Sequence, residues 1–165
     1  MRMKAWAIDV YGLREAHRRS VLGRLRDAHR LYVSPLTWFP GNGKSSRRAA
    51  RRAPGNLTLI GQDPGHARSA QAGEMPATLH ALHQRGMLVV EDDSECDPHL
   101  VAAVESSWAD AGLVARPTDE TLGAILTASR LGMDLVTEDT DVHRLATHWE
   151  VQTMTVLDLA SSLAA

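Results

Sequence analysis

In Met133-Asp134-Leu135-Val136-Thr137-Glu138-Asp139-Thr140-Asp141 an apolar pair runs into a cluster of acids. Leu135 and Val136 read as the end of a short buried strand, Thr137 as its polar stop. Such a strand delivers Asp139 and Asp141 to the lip of a sheet. In open α/β sheets ligands bind at that lip, outside the carboxyl ends of the strands. Clustered carboxylates repel one another and persist where a divalent cation holds them. The stretch therefore implies a Mg²⁺ or Mn²⁺ site and phosphate chemistry.

The flanking sequence supplies the other layers. Thr118 reads as an N-cap, with Asp119 and Glu120 in the first turn, where the helix dipole favours negative charge. Ile125, Leu126, Ala128 and Leu131 give that helix a buried stripe, and Gly132 ends it. After Asp141 a helix is expected to about His148, then a strand over 151–156 and a helical tail. At the other end, Ala5-Trp6-Ala7-Ile8-Asp9-Val10 reads as a short, buried first strand ended by an acid. Residues 12–29 show helical spacing of Leu13, Val21, Leu22, Leu25 and Ala28, and Leu31-Tyr32-Val33 is a second strand. Leu57–Ile60 reads as a third. Pro76 suits the first position of a helix that ends near Arg85, with Gly86 as its stop. Met87–Val90 is another strand and 98–111 a helix. This alternation implies an α/β fold with a mostly parallel sheet covered on both faces.

Bulk properties narrow the function classes. A chain of 165 residues suits one domain, 1–165, with a single core, and 44% hydrophobic with 23% charged residues excludes global disorder. One cysteine, Cys96, excludes an internal disulfide framework and fits a reducing compartment. The longest apolar runs are far short of the ~18 residues of a membrane span. A soluble, cytoplasmic protein is expected, without membrane association. The net charge of -2 hides an asymmetry. Residues 1–52 hold 13 Lys or Arg against 3 acids, and the remainder holds 5 against 17. A basic surface for a polyanion, next to an acidic pole, is implied. Residues 36–75 read as a basic, mobile insertion, punctuated by Pro40, Gly41, Gly43, Pro54 and Gly55.

If the first and late strands are neighbours, Asp9, Asp119, Glu120, Asp139 and Asp141 converge at one edge. There they would hold one or two Mg²⁺ or Mn²⁺, which activate water and stabilise charge on a phosphodiester. Other motifs fail. Gly41-Asn42-Gly43-Lys44-Ser45 lacks the first glycine of a P-loop, whose place Trp38 takes. The His80/His83 and Cys96/His99 pairs suit zinc in spacing, but a core strand separates them. Trp6, Trp38, Trp108 and Trp149 read as core or interface aromatics.

These residues resemble one family, the PIN-domain ribonucleases, which include the toxin halves of bacterial toxin–antitoxin pairs. The resemblance is strongest over 117–159. There Ile125-Leu126-Thr127-Ala128-Ser129-Arg130-Leu131-Gly132 leads to Leu135–Asp141 and then to Leu157-Asp158-Leu159. Ala7-Ile8-Asp9-Val10 resembles the family's first strand. The resemblance implies a three-layer PIN-like fold, with a mostly parallel sheet of four to six strands and helices on both faces. It implies metal-dependent cleavage of RNA, with Asp9, Asp139 and Asp141 at the family's acidic positions and Thr137 as the polar residue beside them. Val10 and Tyr11 depart from the hydroxyl residue and asparagine that usually follow the first aspartate. Thr121 stands where the family has an aspartate, so Asp119 or Glu120 takes that part; Glu74 is the candidate for the helix-borne acid. Lys44, Arg47, Arg48, Arg51 and Arg52 are the expected contacts to the RNA backbone. The implied partners are RNA, a small antitoxin protein and a second copy of the chain, with Trp38 or Trp149 at a homodimer interface. The alternative expectation is a catalytically impaired PIN-like module that binds RNA or a protein partner.

Overall fold

The computed structural model describes residues 2–34, 70–91 and 98–165, the side chains of 70–76, 98 and 119 excepted. In chain order the elements are β1 (Lys4–Ile8), α1 (Val10–Arg18), a 3₁₀ turn (Leu22–Arg24), β2 (His29–Val33), α2 (Ala70–Gln84), β3 (Leu88–Val90), α3 (Pro98–Ser106), α4 (Asp119–Leu131), β4 (Leu135–Val136), α5 (Thr140–His148), β5 (Thr153–Met154) and α6 (Val156–Ala164). The five strands form one sheet in the order β3-β2-β1-β4-β5, and every pairing is parallel.

Alternation along the strands sends successive side chains to opposite faces. Trp6, Ile8, Leu31, Val33 and Val136 meet Leu13 of α1, Leu79 and Leu82 of α2, and Val156 and Leu159 of α6. Ala7 and Leu135 face the other way, onto Val104 of α3, Ile125 of α4 and Leu145 of α5. The result is a three-layer α/β fold with helices on both faces, as expected of strands buried on both sides. Trp6 is buried, and Trp108 and Trp149 pack against the second core. No described helix is long and apolar enough to cross a membrane.

Four helices close in the same way. The residue after the last turn adopts a left-handed conformation, and the next N–H reaches back five residues. This occurs at Gly86, with Met87 N donating to Leu82 O at 2.9 Å, and at Gly132, with Met133 N donating to Ala128 O at 3.0 Å. It also occurs at Ser20 (φ 56°) and Glu150 (φ 59°), where Val21 N reaches Ala16 O and Val151 N reaches Ala146 O.

Several expectations are corrected. β1 stops at Ile8, and Val10 and Tyr11 belong to α1, because Asp9 caps that helix by accepting from Gly12 N. α1 ends at Arg18 and not at 29, because Ser20 reverses the chain; Val21, Leu22 and Leu25 reach the core from the 3₁₀ segment instead. Pro76 lies inside α2 and not at its start. Its missing N–H removes one bond of the ladder, to Ala72. The last residues of the expected 36–75 insertion therefore belong to α2. The expected strand at Leu57–Ile60 lies outside the described residues, as does the loop over 40–55.

Candidate functional site at the sheet's switch point

From β1 the chain winds outward through β2 to β3, then returns to lay β4 and β5 on the other side of β1. The direction of winding reverses between β1 and β4, and ligands bind at such a point, beyond the carboxyl ends of the strands. Ile8 pairs with Val136 there. The next residues on each strand, Asp9 and Thr137, are therefore side by side.

Both strands end by starting a helix. Asp9 is the N-cap of α1 and Asp139 the N-cap of α5. Asp9 Oδ1 accepts from Gly12 N at 2.7 Å, and Asp9 Oδ2 accepts from Thr137 Oγ1 at 2.6 Å. Thr137 Oγ1 itself accepts from Asp139 N at 3.2 Å. Asp139 Oδ1 accepts from Asp141 N at 2.9 Å and Val142 N at 3.0 Å. One buried hydroxyl thus ties the two acids into a single unit.

The electrostatics disfavour a charge on Asp9. Asp9 is 1% exposed. Burial pushes its carboxyl up to about 6, against the hydrogen bonds from Thr137 and Gly12, and the charge of Asp139 pushes in the same direction. Tyr11, the second residue of α1, lies in the same field. Its phenol is raised by burial first and then by Asp139 and Asp9, while Arg14 opposes and Glu120 adds. It is a neutral O–H donor among carboxylates. Gly12 completes the corner. A Cβ built there would lie 2.6 Å from the carbonyl oxygen of Val136 and 2.9 Å from Ile8 Cγ1, so only glycine lets α1 approach the end of β4.

The structure brings Asp9, Thr137 and Asp139 together, with Glu120 close enough to act on Tyr11. It does not gather every expected acid. Among the described residues no group of three His, Cys, Asp or Glu side chains is placed to hold a metal ion. Asp141 is exposed on the first turn of α5, and Asp139 is turned back onto its own helix. Asp119 is the first residue of α4 and Glu74 lies in α2, but the side chains of both lie outside the described residues. Lys44, Arg47, Arg48, Arg51 and Arg52 also lie outside them. The expected capping of α4 is present, with Thr118 Oγ1 accepting from Thr121 N at 3.3 Å. Two residues of the corner carry no sequence signal of their own. Gly12 becomes telling only once β4 is known to lie against α1, and Tyr11 reads as a departure from a motif rather than as a site residue.

Asp9 and Asp139 are the described side chains at this corner that could hold a divalent cation. Carboxylate oxygens are hard donors, and each can serve two partners. Mg²⁺ is commonly held by one or two carboxylates plus waters and substrate phosphates, so two acids are enough for a largely hydrated ion, though not for a closed cage.

No family model and no curated protein matches the chain. Among solved structures it is similar to the crystal structure of PAE2754 from Pyrobaculum aerophilum. The two share 15% identity and a TM-score of 0.53, covering 99% of this chain and 98% of that one. At that identity the likeness is one of fold.

Proposed function

We propose that this chain is a Mg²⁺- or Mn²⁺-dependent ribonuclease of the PIN type, hydrolysing RNA phosphodiester bonds at the lip between β1 and β4. One observation carries the reading: a buried carboxylate, Asp9, sits beside Asp139 at the switch point of a parallel sheet. A charge held against its own burial works against folding and is found where it has a chemical task. Asp9 and Asp139 would hold the cation, with Glu120 contributing through water. Such an ion neutralises charge on the phosphate and supplies a water of lowered pKa.

The chain's own groups do the rest. Thr137 fixes the Asp9 carboxylate and the start of α5 with one hydroxyl. The N-termini of α1 and α5 lie at the same lip and favour an anion there. Tyr11 keeps its proton and can donate it in a hydrogen bond to a phosphate oxygen. The basic residues of the first third, Lys44, Arg47, Arg48, Arg51 and Arg52 among them, would hold the RNA backbone without choosing its sequence. RNA hydrolysis should require Mg²⁺ or Mn²⁺, and Asp9→Asn or Asp139→Asn should lower it by about a hundredfold or more. Unchanged cleavage in either variant refutes the assignment. A toxin role would make a small antitoxin the partner; growth arrest on expression, relieved by Asp9→Asn, tests it.

A second reading has an observation of its own. Only two acids meet among the described residues, and both Asp9 oxygens already accept hydrogen bonds. A PIN-like module that binds RNA or a protein without cleaving fits that arrangement. Failure to bind Mg²⁺ or Mn²⁺ at millimolar concentration selects it.

A further inference from the structure

Next to Asp139, at the carboxyl ends of β4 and β5, a cavity of about 290 Å³ opens between α5 and α6. Asp139 is part of its wall, and Glu138, His143, Thr153, Thr155 and Asp158 are among the other residues that line it. The volume is at the lower end for ligand pockets, which suits one nucleoside better than a larger ligand. Its chemistry is that of a base reader rather than a phosphate site. Three carboxylates repel a phosphate, and among the described residues they do not converge as a metal cage.

Each acid has one oxygen committed to a helix start. Glu138 Oε1 accepts from Val156 N at 2.7 Å, and Asp158 Oδ2 accepts from Thr155 N at 2.9 Å and Thr155 Oγ1 at 2.8 Å. The second oxygen of each takes no hydrogen bond from another described residue. These oxygens are acceptors that match N–H donors of a ligand. His143 Nδ1 is hydrogen-bonded to Thr153 Oγ1 at the cavity wall, where an imidazole ring can stack on a base. Single-stranded RNA is read in this manner, by stacking an unstacked base and bonding its Watson–Crick edge.

We infer that this cavity holds the base of the nucleotide beside the cleaved bond and selects bases with an exocyclic amino group, through Glu138 and Asp158. The inference rests on the ribonuclease reading for its place in the reaction, but the binding itself needs neither metal nor phosphate. Cytidine and uridine are the probes, because they differ chiefly in an amino donor against a carbonyl acceptor. In NMR titrations of the isotope-labelled protein, cytidine is expected to shift the resonances of His143, Thr153 and Thr155, with uridine at least about tenfold weaker. Glu138→Gln keeps the acceptor for Val156 N and replaces the free oxygen with a donor, so it should erase or invert that preference. His143→Ala should weaken both nucleosides, the helix start being untouched.

Equal binding of cytidine and uridine overturns the inference, as does the absence of shifts in the cavity up to the solubility of the nucleosides. Cleavage by the wild-type protein with no base preference on either side of the scissile bond overturns it while leaving the ribonuclease reading intact. Selective cytidine binding by a protein that cleaves no RNA leaves the pocket standing and removes the ribonuclease reading.

Discussion

Replacing Asp9 by asparagine should stabilise the metal-free protein at neutral pH while destroying its function. Burial holds the carboxyl group at about 6 in the folded chain, above the ordinary aspartate value of 3.8. As pH rises, the unfolded chain releases this proton first and the folded chain holds it until about pH 6. Folded stability therefore falls between roughly pH 4 and pH 6 and stays reduced above that window. At about 1.4 kcal/mol for each tenfold change in proton affinity, the ionised group costs on the order of 3 kcal/mol at pH 7.5 as an upper bound. Asparagine removes the charge and keeps an acceptor for Gly12 N. It forfeits the bond from Thr137, worth about 1 kcal/mol. The net gain is about 2 kcal/mol, or roughly 4–8 °C in melting temperature for a chain of this size. Circular-dichroism melts in EDTA at pH 5, 6 and 7.5 measure it. The gap between variant and wild type should widen with pH, and millimolar Mg²⁺ should raise the wild type alone. An Asp9→Asn protein that melts below the wild type at pH 7.5, or a gap that ignores pH, refutes the reasoning.

The remaining predictions concern the supports of the same corner and the helix ends. Gly12→Ala forces a methyl against the Val136 carbonyl, and denaturant unfolding should show a loss of about 1–3 kcal/mol. Thr137→Val removes the donor to Asp9 and the acceptor for Asp139 N; a loss of about 1–3 kcal/mol and a further rise of the Asp9 titration, followed by carbon-13 NMR of its carboxyl, are expected. Asp139→Asn preserves the cap of α5, since asparagine caps as well as aspartate, so stability should change by less than about 1 kcal/mol while Mn²⁺ affinity in calorimetry falls by about tenfold or more. Ser20→Gly relieves a left-handed residue remote from the site and should add roughly 0.5–1 kcal/mol in the same unfolding assay, without changing metal affinity.

The legibility of the fold varied with the residues that punctuate it. α4 was readable at both ends, because Thr118 is a side-chain cap and Gly132 a left-handed stop, each with one dominant local meaning. Gly86 marked the end of α2 for the same reason. Ser20 and Glu150 take the same backbone conformation without the glycine, so the end of α1 had no sequence signature. Pro76 points to a helix start because a proline interior to a helix is unfavourable, yet the fold tolerates it inside α2. Asp9 and Asp139 were visible as acids after apolar runs. That they share Thr137 was not, since the bond spans 128 residues of sequence and depends on β1 and β4 being neighbours. Asp141 illustrates the limit. Its place two residues after Asp139 looks like a second ligand, and the structure shows it exposed in the first turn of α5.

The proposed chemistry requires Asp9 and Asp139 to share one divalent ion. A crystal soaked in Mn²⁺ and measured at a wavelength where manganese scatters anomalously tests this directly. One peak at about 2.0–2.2 Å from an oxygen of each carboxylate is the predicted result. Anomalous density elsewhere, or none at millimolar Mn²⁺ with both acids ordered, contradicts it.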